Sequence, residues 1–193
     1  MLPAAAGLFA LSSEITAVIY QGNAFDELAT LRVSRAVAVY ALGLGFFGFQ
    51  KSLVPWFQAQ NDMKTPLRIS VTTVVLNATL NILAVVALPV EWRHVGLAVS
   101  TVFCAGVGCV LLMVMARRKN GKLGLGAISA DIVKMAVASV GMAMVLWAVK
   151  PLLANFGAIT VLGLLMLVGA ALYAALSVAF FGRGVFPMLR RKK

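Results

Sequence analysis

Acidic side chains are scarce in this sequence, with six Asp and Glu among 193 residues beside two cysteines and a single histidine. Those shortages exclude whole classes of chemistry. His94 stands alone at the edge of an apolar run and cannot anchor a histidine-based metal cluster or a serine triad. Cys104 and Cys109 are five apart on one apolar stretch, so on a helix they point in different directions. They read as small buried side chains rather than a disulfide or a metal pair. Charge of either sign occupies 12% of the chain, about half the share in an average soluble domain. Neither a metal site nor a catalytic site is expected, and the chain does not read as an enzyme.

What fills the space instead is hydrocarbon. Apolar residues make up 62% of the sequence and the mean hydropathy is +0.97. The runs AVAVYALGLGFFGF (36–49) and ISVTTVVLNATLNILAVVAL (69–88) hold no charge at all. Runs approaching the ~20 residues that cross a bilayer must satisfy their own backbone groups, so they read as helices. The expectation is an all-α polytopic transmembrane bundle with six spans near 2–20, 33–56, 67–88, 94–116, 131–149 and 157–181. Short polar links join them, at 21–27 with its following turn, 57–66, 89–93, 117–130 and 150–156.

The link FQAQNDMKTPLR (57–68) has the composition of a tight elbow. Thr65 suits the N-cap of the third span, and Pro66 suits its first turn, where a missing N–H leaves nothing unpaired. At the start of the chain, Met1-Leu2-Pro3 enters an apolar run with no basic region before it. That is unlike a cleavable signal and reads as a piece of a longer chain.

The net charge of +11 is unevenly placed. Lys64 and Arg68 in the elbow, Arg117, Arg118, Lys119 and Lys122 in the fourth link, and Arg183, Arg190, Arg191, Lys192 and Lys193 in the tail fall on one side of a six-span fold. The opposite links hold Arg93 and Lys150 beside Asp26, Glu27 and Glu91. The positive-inside rule makes the elbow, the basic link and both termini cytoplasmic. Nucleic acid is not an expected partner, because the basic residues sit at span ends without interleaved aromatics and anionic lipid accounts for them.

Two motif matches carry no chemistry. Gly43, Gly45 and Gly48 fit a dinucleotide-binding spacing, but inside an apolar helical run they serve close helix packing. Asn77-Ala78-Thr79 fits a glycosylation sequon in mid-span. Polar groups inside spans are more informative, because burying them in lipid is costly. Arg32 and Arg35 lie near one end of the second span and Lys51 near the other. Snorkelling to the interfaces and a cavity-facing role both fit, with Arg35 the deeper of the two arginines. Ser70, Thr73, Asn77 and Asn81 recur at spacings of three, four and four, on one helical face. That stripe suits either hydrogen bonding between helices or a polar cavity or cation site completed by Ser100 or Thr101 of the fourth span.

The run RAVAVYALGLGFFGFQKSLVPWFQAQNDMKTPLRISV (35–71), with LPAAAGLFALSSEITAVIYQGNAFDE (2–27) and HVGLAVST (94–101), resembles the MurJ/MviN lipid II flippases of the MOP transporter superfamily. The most specific element is Lys51, Pro55 and Phe57 leading into Asp62-x-Lys64-Thr65-Pro66. The resemblance covers the chain in order and matches the last six spans of a fourteen-span fold. It implies four spans of a C-terminal lobe at 1–116, a basic cytoplasmic linker at 117–130, a final pair of helices at 131–182 lining a groove for a lipid tail, and a basic tail at 183–193. The implied activity is translocation of undecaprenyl-linked peptidoglycan precursor across the bacterial cytoplasmic (inner) membrane by alternating access. Lipid II, membrane lipid and the missing N-terminal lobe or a second chain are the implied partners.

Within that resemblance Arg35, Lys51 and Arg32 offer positive charge to the pyrophosphate. Asn77, Asn81, Thr73 and Thr101 form a polar cavity or a site for a monovalent cation such as sodium, the coupling ion. The sequence holds amides where an acid would help a cation, so binding by this chain alone is expected to be weak. Another exporter of the superfamily, for polysaccharide lipid or drugs, and a non-transporting membrane scaffold are the alternatives. The charge asymmetry makes a direct prediction: a cysteine at Lys119 stays unlabelled by an impermeant thiol reagent in intact cells with a permeabilised outer membrane, and reacts after the inner membrane is opened. Labelling in intact cells inverts the topology.

Overall fold

A computed structural model describes residues 1–20, 27–121, 125–153 and 156–181. Seven α-helices follow in order: α1 (Leu2–Ala10), α2 (Ser12–Tyr20), α3 (Glu27–Ala59), α4 (Lys64–Ala87), α5 (Val90–Asn120), α6 (Leu125–Val149) and α7 (Ala158–Phe181), with a 3-10 turn at Lys150–Leu153. No strand occurs among the described residues. Among the described residues five helices are long and apolar enough to cross a membrane, and the number of crossings is up to six if the bent α1–α2 pair is one span. The chain is a multi-pass membrane protein.

The first span differs from the sequence expectation. Residues 2–20 form two helices bent by 67° at Leu11, not one rod. The cause is local. Ser12 Oγ donates to the Phe9 carbonyl at 3.2 Å and Thr16 Oγ1 to the Ser12 carbonyl at 2.6 Å, with Ser13 between them. Hydroxyls that bond back to the preceding turn bend helices. The second span is longer than expected, since α3 starts at Glu27 and takes in Arg32. Good helix formers at 27–32 carry it past its apolar part. The link at 117–130 is largely helical, shared between the end of α5 and the start of α6. Residues 21–26, Lys122 and the basic tail at 183–193 lie outside the described residues.

The packing divides the helices into two groups. α3, α4 and α5 pack on one another through α5, and α6 packs on α7. α1 lies against both α3 and α6, and α2 against both α3 and α7, so the bent pair joins the groups. One core forms where Ala10 and Leu11 at the bend meet Met142, Leu146 and Leu165. A second forms at the elbow, where Phe57 is fully buried with Leu112 and Ala116. Of the three glycines with the dinucleotide spacing, Gly43 and Gly48 are contact points: a Cβ would come within 2.7 Å of Val102 on α5 at the first and 2.5 Å of Met1 at the second. Gly45 meets nothing within 4 Å.

The elbow closes by backbone chemistry at one end and side-chain chemistry at the other. The N–H of Asp62 bonds the Phe57 carbonyl at 3.0 Å and that of Asn61 the Gln58 carbonyl at 2.9 Å. This is the bonding of a Schellman C-cap, and it places Asn61 in the left-handed region at φ 57°. Asn tolerates that conformation better than most residues. Asp62 Oδ1 then accepts the Thr65 N–H at 3.0 Å and caps α4. The capping side chain is therefore Asp62, one residue ahead of Met63 at the N-cap position, and not Thr65, which lies inside the first turn. A carboxylate ahead of the helix outcompetes a hydroxyl within it, because it accepts a free N–H and complements the positive end of the helix.

Asp62 Oδ2 also pairs with Lys119 at the last turn of α5. The Lys119 hydrogen bond, then those from Thr65, hold the Asp62 carboxyl well below the usual carboxylate range, against a smaller opposing effect of burial. A depressed acid contributes its stability above the unfolded-state value of about 3.9 and loses it as pH falls toward the folded value. Asp62→Ala should therefore lower the unfolding temperature by the same interval at pH 8 and pH 5. The interval should close only below about pH 4; a gap that shrinks between pH 8 and 5 would show that the carboxylate is not so held.

Candidate functional site

The polar stripe of α4 faces α5. Asn81 Oδ1 accepts a short hydrogen bond from the buried Ser100 hydroxyl, which has the Leu97 carbonyl at 2.9 Å as a second acceptor. Thr101 Oγ1 instead donates to the Leu97 carbonyl of its own helix at 2.9 Å. Thr73 Oγ1 likewise bonds back to Ser70 at 2.9 Å. Asn77, one turn before Asn81, has a buried Oδ1 with no hydrogen-bond partner among the described residues. Of the six residues assigned to this face by sequence, the structure joins Asn81 to Ser100. It turns Thr73 and Thr101 to their own backbones.

Gln50 extends the seam, and sequence reasoning missed it. From α3 its Nε2 donates to the Ala105 carbonyl of α5 at 2.6 Å. It passes beside Gly108, where an added Cβ would lie 3.0 Å from Gln50 Nε2 and 3.2 Å from Thr73 Cγ2. The neighbouring Lys51 drew attention as a charge, whereas an uncharged amide next to it carried no periodic signal.

The basic residues do not converge. Arg35 is exposed and its guanidinium lies over the Trp92 ring at 5.3 Å, at the opening turn of α5. Arg32 is half-buried one turn earlier. Lys51 is exposed sixteen residues beyond Arg35, about 24 Å along the helix and on nearly the opposite face. One anionic group cannot touch both at once. Pro55, four residues on, removes the N–H that would bond the Lys51 carbonyl, so the backbone there is also free to accept.

Apolar space lies elsewhere, along α1. One groove of about 410 Å³ runs between α1, α3 and α6, bordered by Leu2, Phe9, Leu42, Gly45, Ala143 and Trp147. A second of about 280 Å³ lies between α1, α6 and α7 beside Leu11, Met142 and Leu165. Both use α1 as a wall, so the last two helices alone do not form them. The open side of Gly45 faces the first groove. No group of three His, Cys, Asp or Glu side chains converges among the described residues.

The profile of a family described as lipid II flippase MurJ matches residues 1–185. The chain belongs to the MurJ family. A probable lipid II flippase MurJ of Rhizobium tropici is 32% identical over 201 residues, covering 98% of this chain and 36% of the relative. One from Synechocystis is 28% identical over 205 residues, covering 99% of this chain and 38% of that protein. One from Rickettsia prowazekii is 37% identical over 111 residues, 58% of this chain and 21% of that protein. A solved structure titled lipid II flippase MurJ, inward closed conformation, superposes with a TM-score of 0.75 at 23% identity, over 93% of this chain and 36% of that one. The MurJ fold is shared, and the chain spans little more than a third of the length of the full-coverage relatives.

Within this MurJ segment the two asparagines make opposite predictions. Removing an amide whose oxygen has no partner removes a desolvation penalty, so Asn77→Leu should leave thermal stability of the purified chain unchanged or higher. Asn81→Leu deletes an interhelical bond and should lower it by about 0.6 kcal/mol, the average for such bonds in membranes. Destabilisation by both, or by Asn77→Leu alone, means that Asn77 has a partner.

Proposed function

We propose that the chain forms the C-terminal part of a lipid II flippase, moving the undecaprenyl-linked peptidoglycan precursor across the bacterial inner membrane by alternating access. The observation that carries this reading is the family match over residues 1–185, joined to long apolar grooves along α1. A groove of about 410 Å³ with no charged side chain among the described residues of its lining suits a lipid chain. Transport of this kind makes and breaks no covalent bond. The elbow, the end of α5 and both termini face the cytoplasm in this reading.

A cavity between two lobes appears on one lobe as an exposed face. Exposed Arg35, held over Trp92, is suited to meet a pyrophosphate from such a face, with Arg32 behind it. Lys51, about 24 Å away, serves the same anion at a different stage. The amide oxygens of Asn77 and Asn81 belong to a monovalent cation site that the remainder of the protein completes with a carboxylate. The buried, unpartnered Asn77 oxygen fits that role, since hard cations take amide oxygen. Sodium should then raise the melting temperature of a full-length hybrid more than that of this chain alone. A non-transporting scaffold remains the competing reading, favoured by the pairing of Asn81 with Ser100.

A hybrid tests the proposal. Replacing the matching C-terminal segment of the Rhizobium tropici relative with this chain should sustain growth of cells depleted of their own flippase. The 193 residues expressed alone should not, because alternating access needs two bodies around a shared site. In the hybrid, Arg35→Ala should impair growth far more than Arg32→Ala at equal expression. Equal complementation by both variants leaves Arg35 as an interfacial anchor, and a hybrid that inserts but never complements removes the flippase reading.

A further inference from the structure

The bend between α1 and α2 opens a cup beside the first groove. It has a volume of about 360 Å³ and shares Phe9, Ala10 and Trp147 with the groove, so the two spaces adjoin. Their linings differ in kind. Among the described residues, the groove has one hydroxyl, Ser139, and no charge; the cup has Ser12, Ser13 and Lys150, and no acidic side chain. The charge that the described lining carries is therefore positive.

Glu14 stands outside the cup lining and fixes that charge. It pairs with Lys150 Nζ through one oxygen and accepts from Ser13 Oγ at 3.0 Å through the other. An ammonium has three donors, and here Glu14 takes one while Ser13 Oγ, at 3.4 Å, is a long second. A donor remains for an occupant, on a side chain still 42% exposed. Trp147, exposed on the border of the two spaces, is the kind of ring that sits at head-group level in membranes.

The cup lies at the end of the bundle away from the elbow, because Lys150 follows the last residue of α6 and α6 starts from the elbow end of α5. From there the groove descends along α6 from Trp147 to Ala136, about 16 Å. A charged rim opening into an apolar channel selects a molecule with both properties. A soluble anion would leave the channel empty, and a lipid without net negative charge would bring the ammonium no anion that its own cation does not already offset.

We propose that cup and groove together bind a membrane lipid of net negative charge, with Lys150 on a head-group phosphate that no cation of the lipid itself offsets and one hydrocarbon chain between α1, α3 and α6. This rests on the reading that the groove takes a lipid chain, and adds to it the head-group chemistry and the direction in which the lipid lies. The test uses the full chain in phosphatidylcholine nanodiscs, doped with phosphatidylglycerol or phosphatidylcholine carrying the same photoreactive acyl chain. Labelling at Phe9, Leu42 or Trp147 should be about fivefold stronger with phosphatidylglycerol, the effect of one basic residue on an anionic lipid. Lys150→Gln and Glu14→Gln break the same ion pair, so a purely structural role predicts the same result for both. A head-group role predicts that Lys150→Gln abolishes the preference while Glu14→Gln and Lys150→Arg keep it. Equal labelling by the two probes in the unaltered chain, or loss of preference in both glutamine variants, overturns the head-group assignment. Absence of groove labelling with either probe overturns the lipid-chain reading beneath it.

Discussion

Lipid supplies no hydrogen bonds and little hydrophobic force between helices, so helices in a bilayer hold together where their backbones come close. Here that constraint falls on α1. Its sequence LPAAAGLFA is mostly small residues, and it lies against α3 on one side and α6 on the other. Met1 fits over Gly48 and Met142 reaches Gly7, contacts that bulkier residues at the glycines would crowd or block. The two helix groups touch chiefly through α1 and α2, so the grooves, the cup and the relative placement of α6 all follow from this one short helix.

Charge is arranged around that seam with little waste. The elbow end is clamped by Asp62 and Lys119, and the far end by Glu14 and Lys150. Each clamp ties segments distant in sequence, and each has its acid the more buried partner. Between the ends, polarity is carried by uncharged amides and hydroxyls, Gln50, Asn77, Asn81 and Ser100, whose burial in hydrocarbon costs far less than that of an ion. A helix face that is polar without being charged lets α4 and α5 bond each other and still leaves the Asn77 oxygen open.

Long uncharged runs made the five unbroken helices legible from sequence, since nothing but a span explains them. The bend at Leu11 was not, because serine and threonine bond back to the preceding turn in straight helices as well as in bent ones, and the packing of Met142, Leu146 and Leu165 against the break is not visible in the sequence. The elbow was legible as a turn but its cap was misplaced by three residues. Asp62 belongs to the family-like motif, and the motif does not show that its carboxylate meets the free N–H groups ahead of it. The spacing of Asn77 and Asn81 placed them on one face, yet spacing does not say which partner a face meets. Glu14 and Lys150 were invisible as a pair, because 136 residues separate them and neither repeats with a helical period.

The packing of α1 on α6 has a consequence for how the protein is made. The elbow hairpin and α5 are neighbours in sequence and can assemble as soon as they leave the ribosome. α1 is made before both of the helices it packs against, and while α3 follows it closely, α6 begins at Leu125, more than a hundred residues later. At ribosomal rates of about 5–20 residues per second, the bent segment spends several seconds in the membrane without the helix that seals its break. During that interval the hydroxyls of Ser12 and Thr16, which donate to the Phe9 and Ser12 carbonyls, give backbone groups at the break partners of their own. The same residues that spoil a straight span thus give the nascent chain a way to wait.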